Sequence, residues 1–144
     1  SVTVDTMKSK RAPQSLQNSC PCGSNRSYAH CCEPLHQGLV NAATAEALMR
    51  SRYSAYVLRL SDYVLSTWHA STRPQDLDLS EDSATKWLGL TVVRAIDGDL
   101  PNGAWVEFVA KYKVGGQGAQ RLHETSRFVH EMGRWFYVDG VFAE

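Results

Sequence analysis

Apolar residues recur along this chain with two different periods, and the change of period predicts two kinds of structural element. From residue 44 onward they follow helical spacing, and Thr44 is a suitable N-cap. The apolar face comprises Ala45, Leu48, Met49, Tyr53, Tyr56, Val57 and Leu60. The opposite face carries Glu46, Arg50 and Arg59, so we expect an amphipathic helix with these charges in solvent.

A second, shorter helix is predicted over residues 62–70, DYVLSTWHA, with Ser61 as its cap. Tyr63, Val64 and Trp68 would face the core. The STRP sequence that follows would end this helix at its proline.

From Trp87 the apolar residues alternate with polar ones, which is typical of half-buried strands. Four such segments follow one another: WLGLTVVRAI, GAWVEFVAKYKV, RLHETSRFVHE and RWFYVDGVF. Turn sequences separate them, which predicts an antiparallel meander. In the second segment we expect one buried face, made of Ala104, Val106, Phe108, Ala110, Tyr112 and Val114. The other face would be largely wet, with Trp105, Glu107, Lys111 and Lys113.

Helices followed by a four-strand meander predict an α+β fold in which a curved antiparallel sheet packs on the helices. Residues 33–43, EPLHQGLVNAA, contain Pro, Gly and Asn and are interpreted as a linker. The expected organisation is a flexible extension over 1–19, a small cysteine-rich knuckle over 20–36 and the α+β domain over 44–144.

The 15 basic and 15 acidic side chains balance, so no overall field would draw the protein to DNA or to an anionic membrane. No stretch approaches the roughly 18 apolar residues of a membrane span. The start of the chain also lacks the continuous apolar core of a secretion signal. A cytoplasmic protein is the simplest interpretation.

All four cysteines lie in CPCGSNRSYAHCC, residues 20–32. A disulfide between the adjacent pair would be strained, because their Cα atoms lie about 3.8 Å apart and disulfides need about 4.4 to 6.8 Å. A reducing cytosol disfavours the other pairings, and the spacing is wrong for a Cys-x-x-Cys redox site. The segment has no period that would bury four thiols as apolar side chains. We therefore expect a closed tetrahedral metal site with the ligands Cys20, Cys22, Cys31 and Cys32.

Two questions about this metal site stay open at the level of sequence. His30 or His36 could replace one of the adjacent cysteines, because imidazole binds zinc as readily as thiolate does. Zinc is the expected ion, although iron also suits four thiolates. With either ion, Arg26 would partly offset the negative charge of the four thiolates.

The same segment resembles the SEC-C metal-binding motif, which is best known from the C-terminal tail of the translocation ATPase SecA. The resemblance places the four cysteines on ligand positions and Tyr28 on the aromatic position. Asn25 and Arg26 stand where the motif usually has Gly-Lys. The SecA tail touches a chaperone and the ribosome, so the resemblance implies a contact surface on the knuckle. Its expected members are Asn25, Arg26, Tyr28 and His30.

We therefore expect a zinc-binding adaptor that docks to the ribosome, a chaperone or the export machinery. A basic arm of Lys8, Lys10, Arg11 and Arg26 would add contacts to ribosomal RNA. In the alternative hypothesis the knuckle only braces the larger domain.

The rest of the chain resembles the YchJ-like family of small bacterial proteins, through EALMRSRYSAYVL, TWH, WLGL, VEFVAKY, LHETSRFV and WFYVDG. That family joins a SEC-C motif to a domain similar to nuclear transport factor 2. The resemblance implies a cone-shaped α+β fold and a bound metal, and it implies no particular reaction.

A competing hypothesis is a small-molecule-binding protein or an isomerase-like or dehydratase-like enzyme that uses a pocket inside the cone. Its weak catalytic candidates are His69, His123, Glu124, Arg127 and Asp139. Either histidine would act as a general base next to a carboxylate, and Arg127 would hold an anionic group. However, His123 and Glu124 lie on opposite faces of a regular strand, so both cannot enter one pocket unless a bulge intervenes. The adaptor is therefore the favoured hypothesis, and the sequence predicts no oligomeric state.

Overall fold

The computed structural model describes residues 19–81, 84–97 and 102–143. Within these described ranges three helices precede the sheet: Glu33–His36 (α1), Ala45–Leu58 (α2) and Ser61–Ser66 (α3). Short 3-10 turns lie at Tyr28–His30 and Leu79–Glu81. The expected basic arm of Lys8, Lys10 and Arg11 falls outside the described residues.

The part of the chain that the structure describes also contains four strands: Thr85–Asp97 (β1), Gly103–Val114 (β2), Gln120–Glu131 (β3) and Arg134–Phe142 (β4). They form one sheet in the order β1-β2-β3-β4, and every neighbouring pair is antiparallel. The predicted meander and the α+β fold class are confirmed. Register shifts interrupt β1 twice and the β3–β4 pairing once, and such bulges bend a sheet and increase its twist. The sheet packs against α2, which contacts β1, β2 and β4.

Helix α2 begins as the sequence predicts, because Thr44 Oγ1 accepts a hydrogen bond from the Ala47 backbone N–H at 3.0 Å. The helix ends before Arg59, which adopts a left-handed conformation with φ of 61°. Its buried residues are Ala45, Leu48, Met49, Ser51, Arg52, Tyr53, Ser54 and Ala55. The apolar face is confirmed, but three polar side chains are buried with it.

Helix α3 is shorter than predicted and ends at Ser66 instead of residue 70. Beyond its end, the Tyr137 N–H donates to the Thr67 carbonyl at 2.8 Å and the His69 N–H donates to the Tyr137 carbonyl at 2.7 Å. These bonds to β4 replace the last helical turn. The predicted cap was also wrong, because Ser61 Oγ accepts a hydrogen bond from the Leu79 N–H at 2.8 Å instead.

The predicted linker over 33–43 was wrong in its first part, because α1 lies there. Pro34 stands in the first turn of α1, where a missing N–H leaves no helical hydrogen bond unmade. The His36 N–H donates to the Cys32 carbonyl at 2.9 Å, so this helical turn continues directly from the last cysteine.

The inner face of β2 forms the centre of the core, as its alternation predicts. Ala104, Val106, Phe108 and Ala110 are buried, and they pack in one cluster with Leu48, Met49, Tyr53 and Phe128. The same cluster contains Cys20, Cys22 and Cys32. The knuckle therefore packs into the core of the larger domain.

The helices of the described residues are all too short or too polar to span a membrane.

Candidate functional site

The knuckle is a tight loop whose backbone brings its two ends together. Ser19 and Ser27 form an antiparallel bridge, and the Cys20 N–H donates to the Arg26 carbonyl at 2.9 Å. The turn between them needs left-handed backbone at Gly23 (φ 81°) and Asn25 (φ 68°), conformations that glycine and asparagine adopt most readily. The 3-10 turn Tyr28–His30 then returns the chain, so that the second pair of cysteines faces the first.

The four sulfur atoms form a compact cluster, with every pair within 4.8 Å. Cys22 Sγ lies 3.5 Å from Cys31 Sγ, which lies 3.9 Å from Cys32 Sγ. A tetrahedral ion with metal–sulfur bonds of about 2.3 Å separates its ligands by about 3.8 Å. All four are free thiols, and these separations fit such an ion. The cluster could therefore hold a metal.

The thiols of the cluster do not ionise alike. The pKa of Cys22 is lowered, because the thiols of Cys20 and Cys32 both form hydrogen bonds that favour its thiolate. The pKa of Cys32 is raised by its hydrogen bonds with Cys20 and Cys22 and by burial, and the pKa of Cys20 is raised by its hydrogen bond with Cys22 and by burial. A bound cation would supply the positive charge that favours the thiolate form of its ligands.

Three side chains form hydrogen bonds to the sulfurs from outside the cluster. Ser54 Oγ of α2 lies 3.5 Å from Cys20 Sγ and 3.4 Å from Cys32 Sγ. Ser24 Oγ lies 3.1 Å from Cys31 Sγ, and the Arg26 guanidinium donates to the same sulfur at 3.7 Å. The position of Arg26 agrees with its expected role in offsetting the charge. Such groups orient metal ligands and tune their basicity.

Helix α2 also holds the knuckle through Arg50, which the helical pattern places in solvent. Arg50 is instead half-buried, donating from Nη1 to the Cys22 carbonyl at 2.8 Å and pairing with Glu46 Oε2 at 3.0 Å. The prediction was wrong because the periodicity of α2 cannot show that the knuckle packs beside this part of the helix.

Neither histidine of the knuckle belongs to the cluster. His36 Nε2 donates to the Ser51 carbonyl at 2.8 Å, so its Nδ1 accepts the hydrogen bond of the Tyr28 hydroxyl at 2.7 Å. Burial lowers the pKa of His36 and keeps this neutral form. His30 Nδ1 lies 2.8 Å from Ser27 Oγ on the exposed side. Both rings are thus engaged away from the sulfurs.

The structure brings two of the catalytic candidates, Arg127 and Asp139, together on the exposed surface, but it does not gather all the candidates around one pocket. Arg127 and Asp139 are partners across β3 and β4 and form an exposed ion pair, with Nη2 and Oδ2 2.9 Å apart. His123 Nε2 lies 2.7 Å from Glu107 Oε2, and His69 Nε2 lies 3.0 Å from Glu131 Oε1. These three pairs are separate contacts, so they form no common site.

Glu124 lines a cavity, on the opposite strand face from His123. The cavity has a volume of about 270 Å³ and lies between α2 and the inner face of the sheet. Its walls also carry the guanidinium of Arg52, which the sequence reasoning missed. A signal was present, because Arg52 lies three residues after Met49 and four before Tyr56, on the apolar stripe.

Comparison with known proteins assigns both parts of the chain. The family model described as SEC-C motif matches residues 18–34, and that described as YchJ, middle NTF2-like domain, matches residues 44–140. A UPF0225 protein of Chromobacterium violaceum is 52% identical over 139 residues, covering 95% of this chain and 100% of the relative. A UPF0225 protein of Ralstonia nicotianae is 55% identical over 132 residues, covering 85% and 90%.

A solved structure agrees with these matches. The solution structure of a SEC-C motif containing protein from Rhodopseudomonas palustris is similar with a TM-score of 0.76 and 35% identity. The similarity covers 87% of this chain and 98% of that protein. Both resemblances stated from the sequence, to the SEC-C motif and to the YchJ-like family, are confirmed.

Proposed function

The chain belongs to the YchJ-like family of UPF0225 proteins, and from this premise we propose that it is a cytoplasmic zinc-binding adaptor whose knuckle contacts a protein partner. Zinc is bound by Cys20, Cys22, Cys31 and Cys32 and fixes the knuckle on the main domain. The single observation that carries this proposal is the convergence of four sulfurs, three of them buried, within 4.8 Å of one another.

Zinc suits the proposed role better than iron does. A set of four thiolates leaves no position for water or substrate, so the ion is structural. Three of the sulfurs pack in the hydrophobic core, where a change of charge on the ion would be costly. Zinc has no redox chemistry and keeps one charge, whereas iron would change its charge on oxidation.

The proposed contact surface is the outer rim of the knuckle, formed by Asn25, Arg26 and His30. All three are exposed. Tyr28 was expected to belong to this rim, but its hydroxyl is bound to His36 and its side chain is half-buried. The rim thus combines a rigid, metal-fixed backbone with one cation, which suits an acidic protein surface on a chaperone or on the ribosome.

Metal content is the first test of the proposal. Elemental mass spectrometry on protein purified without a metal-chelating tag should find one equivalent of zinc in the wild type and none in Cys22→Ser. One equivalent of iron instead of zinc would contradict zinc as the bound ion and would leave the four-cysteine site in place. No metal, together with four freely titratable thiols, would contradict the site.

The contact surface is tested with the metal in place. Wild-type protein is sedimented with purified ribosomes and, separately, captured on a purified export chaperone. Asn25→Asp combined with Arg26→Glu should abolish the association, while Arg121→Glu, an exposed arginine at the start of β3, should leave it unchanged. Absence of binding to both partners, or equal loss in both variants, would contradict the adaptor.

The enzyme hypothesis receives no support from the catalytic candidates. An isomerase or dehydratase built from His69, His123, Arg127 and Asp139 would need these groups around one substrate. Arg127 and Asp139 are instead paired with each other, His69 is paired with Glu131, and His123 is paired with Glu107.

A further inference from the structure

Arg52 is a buried cation in the middle of α2, with 6% of its surface exposed. Its Nη1 donates to the Val64 carbonyl at 2.8 Å and to Thr67 Oγ1 at 2.7 Å. The rings of Tyr137 and Trp68 flank the guanidinium, with centroids 4.4 and 5.2 Å from Cζ. One edge of the guanidinium is therefore fixed, and its planar group is held against two aromatic walls of the cavity.

The remaining donors of Arg52 have no acceptor among the described residues. Within the described structure, the hydrogen bonds of Arg52 are made by Nη1. No carboxylate of the described residues forms an ion pair with the guanidinium. Burial lowers the pKa of Arg52, because removing a charge from water without an ion-pair partner costs free energy. An anion that entered the cavity would therefore meet a cation that is already desolvated and oriented.

Glu124 supplies the opposite charge in the wall of the same cavity, and 8% of its surface is exposed. Its Oε2 accepts hydrogen bonds from the Ser126 hydroxyl at 2.6 Å and the Tyr137 hydroxyl at 3.5 Å. The carboxylate lies over Gly140 of β4, where an added Cβ would stand 2.6 Å from Glu124 Cδ. Gly140 thus provides the space that keeps this carboxylate buried against the sheet. The second oxygen, Oε1, has no protein partner among the described residues.

Aromatic and apolar side chains make up the rest of the wall. They are Met49, Tyr53, Tyr56, Trp87, Phe108, Ala110 and Leu122. At about 270 Å³ the cavity lies below the usual range for drug-sized ligands, so it suits a molecule with a single ring. A dianion such as a phosphate ester is disfavoured, because Glu124 would repel its second charge.

We propose that this cavity binds a small planar carboxylic acid that also carries an N–H or O–H donor. The carboxylate pairs with the free edge of Arg52, the donor bonds to Glu124, and the ring packs among the aromatic side chains. This site is independent of the knuckle, since neither Arg52 nor Glu124 contacts a cysteine within the described structure.

Isothermal titration calorimetry with small probes tests the proposal on the wild-type protein. The probes are 4-aminobenzoate and 4-hydroxybenzoate, with benzoate lacking the donor and 4-aminobenzamide lacking the charge. Both complete probes should bind at least ~10-fold more tightly than the amide, because a charge-assisted hydrogen bond is lost with the carboxylate. Benzoate should bind several-fold more weakly than they do. No binding of either complete probe at millimolar concentration, or equal binding of the amide, would overturn the proposal.

Variants assign the two ends of the ligand. Arg52→Met should abolish binding of 4-aminobenzoate, and Glu124→Gln should remove the preference for 4-aminobenzoate over benzoate. Arg94→Met and Glu107→Gln change an exposed cross-strand pair and should leave both measurements unchanged. Unchanged binding in Arg52→Met would overturn the assignment.

Because Arg52 also ties α2 to α3, its replacement by Met can unfold the protein. Arg52→Lys keeps the charge and loses the planar fork, so it should weaken 4-aminobenzoate binding while the fold is kept. Thr67→Val removes one internal partner of Arg52 and should lower stability with little effect on binding. If Thr67→Val weakened binding as much as Arg52→Lys did, Arg52 would be only a structural residue and the proposal would fail.

Discussion

The knuckle and the cavity are two buried polar sites of one core, and they are assembled in opposite ways. The knuckle takes its four thiols from one short loop, residues 20–32, and brings them to a single point. The cavity takes Arg52 from a helix and Glu124 from a strand, and it leaves them without a direct ion pair. Local spacing can specify a metal site, whereas a pocket depends on the packing of distant elements.

The two sites also differ in what completes them. In the knuckle, a bound cation would replace the protons of four converging thiols, so its binding free energy would become folding free energy. In the cavity, Arg52 and Glu124 belong to a fold that the hydrophobic core already stabilises. A bound ligand would therefore add stability to a structure that forms without it. Loss of the metal should therefore damage the fold, and loss of the ligand should not.

Removal of the metal has the largest expected effect. Cys22→Ser, or chelation of the wild type, should lower the free energy of unfolding by more than about 4 kcal/mol, because the sulfurs are part of the main core. Urea unfolding followed by tryptophan fluorescence measures this loss. If chelation released the metal and left the unfolding midpoint unchanged, the knuckle would be an independent appendage.

The next effect lies at the cavity. Gly140→Ala should lower the free energy of unfolding by about 1–3 kcal/mol, because the new methyl group overlaps the carboxylate of Glu124. Adding Glu124→Ala to Gly140→Ala should restore part of the loss, and a double-mutant cycle in urea measures the coupling. Independent, additive effects of the two substitutions would contradict this packing. Metal content should stay at one equivalent in both variants.

Ser54 belongs to the knuckle side of the comparison, since it lies on the buried face of α2 and touches two sulfurs. Ser54→Ala should weaken metal binding about 10-fold, because hydrogen bonds to ligands are lost. Competition with a chromogenic chelator measures the affinity. Ser66→Ala, at the exposed end of α3, is the matched control and should not change it.

The smallest expected effect concerns the exposed pair of β3 and β4. The hydrogen bond from Arg127 lowers the pKa of Asp139, so the pair stabilises the fold above the unfolded pKa of about 3.9. This stability should be lost as pH falls through the folded pKa. Solvent screening limits it to less than about 1 kcal/mol. Asp139→Asn should flatten this part of the curve of stability against pH, and an identical curve would show that the pair contributes nothing.

Much of the fold could be predicted from sequence, because its signals are local. The helical spacing of apolar residues, together with the Thr44 cap, predicted α2. The alternation of apolar and polar residues predicted the four strands and the buried face of β2. The end of α3 could not be predicted, because two hydrogen bonds with β4 compete with the helix: the Thr67 carbonyl accepts from the Tyr137 N–H, and the His69 N–H donates to the Tyr137 carbonyl. Arg50 was predicted to lie in solvent for a related reason, because it donates to a backbone carbonyl of the knuckle, which lies outside its own helix.

The sequence by itself determined the ligand set of the knuckle: four cysteines lie within thirteen residues, and Gly23 and Asn25 between them favour the left-handed turn that brings the two pairs together. Only the tertiary structure decided how the knuckle is used, since Ser54 and Arg50 reach it from α2. Only the tertiary structure brought Arg52 and Glu124 into one cavity, because no local pattern relates a helix residue to a strand residue so far along the chain. Loop geometry acts over a few residues, whereas a pocket exists only after the sheet has closed over the helix.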